Sequence, residues 1–93
     1  MVSAIVLINT QIGAVNEVAN GLINLKGVRE VYSVAGSYDL VALVFVRDND
    51  DLAELVSVQI RKQTGILTTQ TLIAFRVYTA AELRAAGSWG IEE

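Results

Sequence analysis

Two short polar groups carry side chains that are able to contact a small polar ligand. They are Gly36, Ser37, Tyr38 and Asp39 in the first group, and Thr69, Gln70 and Thr71 in the second. Together they offer a carboxylate, hydroxyl and amide groups and an aromatic ring, which are the groups that orient a ligand in a pocket. Each group also has a structural interpretation, as a glycine turn stabilised by Asp39 and as a threonine-rich edge strand.

The composition excludes several kinds of chemistry. The 93 residues contain no cysteine and no histidine, which removes disulfides, thiol catalysis, zinc–thiolate sites and the commonest general base. The acidic run 48–51 lacks the spacing of a calcium loop and is interpreted as the cap of a following helix. No acid–base pair is evident, so we expect no enzyme activity, no cofactor and no metal site.

The charge balance narrows the partners. Seven Lys and Arg against ten Asp and Glu give a net charge of −3, which argues against direct contact with nucleic acid or with a membrane surface. No apolar run approaches the roughly 18 residues that span a bilayer, and the first residues lack the features of a signal peptide. We therefore expect a cytoplasmic protein.

Hydropathy patterns predict the elements that position the polar groups. Short β-branched runs predict strands, apolar residues at every third or fourth position predict helices, and Lys26-Gly27 and Thr64-Gly65 are predicted to end the helices. The predicted order is strand 2–8, helix from 12, strand 28–35, strand 40–46, helix 52–60, strand 66–78 and a short helix 80–86 stopped by Gly87. Gly36 and its neighbours then form the turn of a hairpin, and Thr69 to Thr71 lie in the last strand.

This order is that of a ferredoxin-like α+β fold, a βαββαβ two-layer sandwich. The first and third strands are central in that topology, and they are the two most apolar strands of this chain. Two helices cover only one face of such a sheet, while strand 40–46 contains no polar residue and offers apolar side chains to both faces. We therefore expect the open face to form a dimer that buries about 800 Å² per partner or more.

The hairpin residues also resemble a known family. The run Val31-Tyr32-Ser33-Val34-Ala35-Gly36-Ser37-Tyr38-Asp39-Leu40 is similar to the strand, Gly-x-Tyr-Asp turn and following strand of the Lrp/AsnC (leucine-responsive, feast/famine) effector-binding domain, also called the RAM domain. The runs 6–10 and 69–72 support the resemblance. It runs from about Val2 to Tyr78, and we interpret residues 1–78 as one ligand-binding and oligomerisation domain. Residues 79–93, including Trp89, lie outside it as a short C-terminal helix and tail.

The resemblance implies an amino-acid effector bound in a cleft between dimers that assemble into octameric or decameric rings. It implies that Asp39 accepts from the ammonium, that amides near Gly36 and Ser37 meet the carboxylate, and that Tyr38 forms a wall. Strand alternation places Thr69 and Thr71 on one face and Gln70 on the other, so only one of these sets can line a given cleft.

Three functions follow from these observations. The first is a stand-alone amino-acid sensor in transcriptional or metabolic regulation that does not itself bind DNA, because no basic recognition helix is present in the 93 residues. The alternative is an interaction module that co-assembles with a full-length Lrp/AsnC regulator and has no physiological small ligand. An enzyme of the dimeric α+β barrel type is the least favoured.

Overall fold

The computed structural model describes residues 1–81 and contains the predicted fold. Its elements are β1 (Val2–Thr10), α1 (Val15–Ile23), β2 (Val28–Ser33), β3 (Leu40–Val46), α2 (Asn49–Glu54), a π-helical turn (Leu55–Ile60) and β4 (Ile66–Ile73). The strands form one antiparallel sheet in the order β2-β3-β1-β4. The ferredoxin-like two-layer architecture is confirmed, as are the central positions of β1 and β3.

The two faces of the sheet differ in burial because side chains alternate along each strand. In β1 and β3, Ala4, Val6, Ile8, Leu40, Ala42, Val44 and Val46 are buried under the helices. The residues between them face the other way, and Ile5 and Phe45 each remain 38% exposed. The register pairs Val6 with Ala42 and Ile8 with Leu40, so the covered face is continuous across the two central strands.

Both helical segments contribute to one core. Val18 and Leu22 of α1 and Leu52 of α2 are buried against the sheet, together with Leu55 and Ile60 of the π turn. Removing a side chain of this size from water stabilises a fold by about 1.5–3 kcal/mol. The apolar stripe predicted for the second helix is therefore confirmed, and Val58, which lies off it, is 36% exposed.

The first helix begins later than its pattern predicts. Ile12 was expected on the buried stripe but is fully exposed. A turn closed by the Ala14 amide donating to the Gln11 carbonyl (3.0 Å) precedes the helix, and Gly13 within it has φ +82°. The end differs as well: α1 ends at Ile23, and Gly27 with φ +98° belongs to the following turn rather than to the helix terminus.

The second helix is capped as predicted, but its continuation is not α-helical. The Asp51 amide donates to the Asp48 carboxylate at 2.8 Å, which makes Asp48 the N-cap. From Leu55 to Ile60 the chain forms a π turn. Residues five apart lie about 140° apart around an α-helix, whereas i→i+5 bonding stacks them on one side. The π turn thereby buries both Leu55 and Ile60.

The last strand is shorter than the predicted 66–78. It ends at Ile73, which pairs with Ala4 near the start of β1, and the Ala74 amide makes a last bond to Ser3 at 2.9 Å. Only Val2 of β1 lies beyond that point. Ala80 and Ala81 are helical, while the rest of the predicted helix 80–86, the stop at Gly87 and Trp89 lie outside the described residues. The second strand likewise ends at Ser33, two residues before its predicted end.

Candidate ligand-binding site

The connection between β2 and β3 forms the frame of the predicted site. A hydrogen bond from the Val34 amide to the Asp39 carbonyl, 3.1 Å long, closes the turn formed by residues 34–39. Gly36 has φ +138°, a conformation that side-chain-bearing residues rarely adopt, and a Cβ placed there would contact nothing within 4 Å. The glycine is therefore required by backbone conformation and not by close packing. Residues 34–37 are exposed, while Tyr38 and Asp39 are half-buried.

Asp39 ties this connection to the end of β1. One carboxylate oxygen, Oδ2, accepts from the Thr10 amide at 2.9 Å and, more weakly, from the Thr10 hydroxyl at 3.4 Å. The Asp39 amide donates to the Ile8 carbonyl at 3.0 Å. Within residues 1–81 the other oxygen, Oδ1, accepts no hydrogen bond. Asp39 thus has a fixed position and one oxygen left for an incoming donor.

Tyr38 joins the two predicted polar groups. Its hydroxyl donates to Gln70 Oε1 at 2.6 Å, across the width of β1, which lies between β3 and β4. Gln70 pairs with Leu7 and so faces away from the helices. Asn9 on the same face donates to Thr68 at 3.2 Å. These two bonds form a polar patch at the hairpin end of the open sheet face.

Thr69 and Thr71 are not part of this polar patch. They pair with Ile8 and Val6, whose side chains lie under the helices, and cross-strand partners share a face. Thr69 is exposed and Thr71 half-buried. A single chain therefore brings Tyr38 and Gln70 together, joins Asp39 to Thr10 and places the two threonines on the face opposite Gln70, as strand alternation requires.

Sequence reasoning missed Thr10, which is only 7% exposed and holds Asp39 in place. A polar residue directly after the apolar run of β1 is the signal that could have identified it.

On the open face, the Tyr32 hydroxyl donates to Glu30 at 2.7 Å. This bond and the nearby carboxylate charge raise the pKa of Tyr32, so the phenol stays neutral at physiological pH. In residues 1–81 no cluster of metal-ligating side chains occurs, and no helix there is long and apolar enough to span a bilayer.

Comparison with known proteins decides the family. Residues 3–82 match the model of the Lrp/AsnC ligand binding domain. The chain belongs to this family. One Lrp/AsnC relative, the HTH-type transcriptional regulator FL11 of Pyrococcus abyssi, is 29% identical over 75 residues, which are 81% of this chain and 49% of the regulator. The chain therefore spans about half the length of the curated relatives it matches.

Solved structures agree with this assignment. TTHA0845 from Thermus thermophilus is 42% identical, with a TM-score of 0.81 over 85% of this chain and 99% of that one. The feast or famine regulatory protein Rv3291c from M. tuberculosis, solved with L-methionine, is 27% identical, with a TM-score of 0.71 over 86% of this chain and 54% of that one. The family resemblance of the hairpin sequence is thereby confirmed, and the curated relatives are regulators of transcription.

Proposed function

We propose that this domain binds a free amino acid at the hairpin and acts as a non-enzymatic regulatory module. The observation that supports it most is Asp39, which is held by Thr10 through one oxygen and keeps the other available. A fixed carboxylate is a strong acceptor for an ammonium group. The exposed amides at Gly36 and Ser37 are available for a carboxylate, and the half-buried Tyr38 ring adds an apolar wall. The L-methionine complex of Rv3291c supports this ligand class.

In this proposal, a second copy of the chain contributes Thr69 and Thr71 to the site. They face away from Tyr38 and Gln70 within one chain, so they reach a ligand only if another subunit presents its β4 to the hairpin. This arrangement corresponds to a cleft between dimers in an octameric or decameric ring. Thr71→Val is expected to weaken ligand binding without changing the Tyr38–Gln70 bond.

Calorimetric titration with each of the twenty amino acids, beginning with L-methionine, tests the ligand. Asp39→Asn keeps an acceptor for Thr10 but removes the charge that meets the ammonium, so we expect affinity to fall about tenfold or more. Asp50→Asn is the matched control, since it makes the same change on an exposed part of α2 and is expected to leave affinity unchanged. Absence of binding at millimolar concentration for all twenty would refute the amino-acid proposal.

The open sheet face supports the self-association part of the proposal. Ile5, Phe45 and Leu72 are 38%, 38% and 44% exposed on it, and half-buried Leu7 and Leu43 lie between them. A contiguous apolar surface of this kind marks an interface. We expect Leu72→Lys to reduce the mass measured by light scattering after size exclusion. Ile12→Lys, at an exposed position off the sheet, is expected to leave the mass unchanged.

The same face could instead pack against the matching domain of a full-length Lrp/AsnC regulator. Co-purification with such a regulator, abolished by Leu72→Lys and insensitive to amino acids, would favour that alternative. The net charge of −3 leads us to expect no direct binding to DNA in either case. A gel-shift titration at low salt tests that expectation, because non-specific binding is strongest there.

A further inference from the structure

A second cleft lies at the end of the sheet remote from the hairpin. It has a volume of about 580 Å³, within the range of about 300–1,000 Å³ that is typical of small-molecule sites. Its walls come from the turn after α1, the end of β3, α2 and the π turn. Since the hairpin leads into β3 at Leu40 and this cleft lies where β3 ends at Val46, the two sites are separated by the length of that strand.

The floor of the cleft is apolar and its rim is polar. Leu25, Val46 and Leu55 line it. Val46 and Leu55 belong to the buried core, so the floor is continuous with packed structure and holds its shape. Asn24 and Gln59 add amide groups to the lining, which gives the cleft donors and acceptors suited to peptide-like groups.

Charges on the rim are only partly compensated. Arg47 and Asp51 form an ion pair at 2.9 Å. The hydrogen bond from Arg47 lowers the pKa of the Asp51 carboxyl, and the Lys26 charge adds to this effect, which places Lys26 on the same rim. Within residues 1–81 neither Lys26 nor Glu54 takes part in an ion pair. On this side of the rim two cations, Lys26 and Arg47, thus face the single carboxylate of Asp51, while Glu54 lines the cleft from another element.

The π turn shapes the anionic wall. Gln59 donates to Glu54 at 3.1 Å, a bond between side chains five residues apart. That spacing brings two side chains together in a π turn, while an α-helix would separate them around its axis. The bond orients Glu54 without neutralising its charge. Turns of this type occur frequently at functional sites.

We propose that this cleft binds a short peptide with free termini, of dipeptide size, with apolar side chains. Lys26 meets the terminal carboxylate, Glu54 meets the terminal ammonium, and Leu25, Val46 and Leu55 contact the side chains. Lys26 and Glu54 lie on separate elements around a volume of about 580 Å³. These features favour a longer zwitterion over the free amino acid proposed for the hairpin. The proposal does not depend on ligand binding at the hairpin.

The probe is L-leucyl-L-leucine, titrated against the whole chain by calorimetry and by two-dimensional amide NMR. We expect binding with shifts at Leu25, Gly27 and Gln59, and about tenfold weaker binding for Lys26→Gln and for Glu54→Gln. N-acetyl-leucyl-leucine amide, which lacks both charges, is expected to bind at least tenfold more weakly than the free dipeptide. Lys62→Gln and Glu17→Gln make the same changes outside the cleft and are expected to have no effect.

Three results would overturn the proposal. They are no binding of the dipeptide at millimolar concentration, equal binding of the capped dipeptide, and binding that Lys26→Gln and Glu54→Gln leave unchanged. Tyr38→Phe separates this site from the hairpin: we expect it to leave dipeptide binding intact. Failure of free amino acids to bind would refute only the hairpin proposal, and failure of the dipeptide only this one.

Discussion

The two ends of the sheet both carry a hydrogen-bonded aspartate, yet the two residues contribute differently to the fold. Asp39 at the hairpin end is half-buried and accepts from the backbone amide of the buried Thr10. Asp51 at the cleft end pairs with Arg47, and the two side chains are 36% and 79% exposed. A buried amide that loses its hydrogen-bond partner destabilises the fold by the full free energy of its desolvation. An exposed ion pair contributes little to stability, because water solvates both charges when the pair is broken. Burial of the partner therefore decides what each carboxylate contributes.

Glycine substitutions give the largest expected contrast between the two ends. Gly27 at the cleft end has φ +98°, and a Cβ there would lie 2.8 Å from Val46. Gly36 has a positive φ but open space around it. We expect Gly27→Ala to cost about 1–3 kcal/mol for backbone strain plus about 1–3 kcal/mol for overpacking, and Gly36→Ala only the first. Urea unfolding of both variants measures the difference, and equal losses would contradict it.

Replacing Asp39 tests the hairpin end more directly. Asp39→Ala leaves the Thr10 amide without its partner, so we expect a loss of about 1–3 kcal/mol in the free energy of unfolding. Thr10→Val removes only the long 3.4 Å bond from the hydroxyl and keeps the amide donor, so its loss is expected to be smaller. Chemical denaturation at pH 7 compares the two. A loss for Thr10→Val as large as that for Asp39→Ala would show that the amide bond is not the main anchor.

A smaller effect is expected where α2 begins. Asp48 accepts from the Asp51 amide at 2.8 Å, and loss of such a cap costs about 1 kcal/mol. Asp48→Ala is therefore expected to lower thermal stability, while Asp48→Ser, which restores a capping oxygen, recovers most of it. Thermal melts followed by circular dichroism measure both variants. Equal melting temperatures for alanine and serine would argue against capping.

The smallest expected effect is a pH dependence at the cleft end. The hydrogen bond from Arg47 lowers the folded-state pKa of Asp51, so the unfolded chain binds more protons in the acid range. The contribution of Asp51 to stability is then present above the unfolded pKa of about 3.9 and is lost as pH falls through the folded value. Urea unfolding of wild type and Asp51→Asn between pH 7 and pH 3 is expected to show a small difference that decreases toward the acid end. A difference that grows on acidification would contradict this.

The sequence predicts the fold well because its strongest hydropathy patterns fall on residues that pack in the core. The apolar runs of β1 and β3 occupy the centre of the sheet, and Asp48 caps the helix that follows it. The prediction for Ile12 is wrong because its spacing matches the apolar stripe of α1, whereas the turn that ends at Ala14 places it before the helix. The end of β4 depends on its pairing with β1, and the hydropathy pattern of a single strand contains no such information.

The candidate site was only partly predictable for a related reason. Local sequence identifies Gly36 as a turn residue, but the bonds from Thr10 to Asp39 and from Tyr38 to Gln70 join residues 29 and 32 positions apart. Such pairs follow from strand order and register, which a single sequence determines only through the fold. Whether these residues bind a ligand, and whether the domain ends at residue 78, remain predictions.

Because of the π turn, the deletion of one residue from this segment would change the shape of the cleft. Deleting the exposed Ser57 would leave Leu55 and the residue now at Ile60 four positions apart, the spacing at which an ordinary α-helix keeps both on one side. The core contacts would then survive an indel that most helices cannot absorb. Glu54 and Gln59 would then be four residues apart instead of five, and their positions relative to the floor of the cleft would change. A one-residue deletion in this segment would therefore alter the cleft while leaving the sheet and the hairpin unchanged.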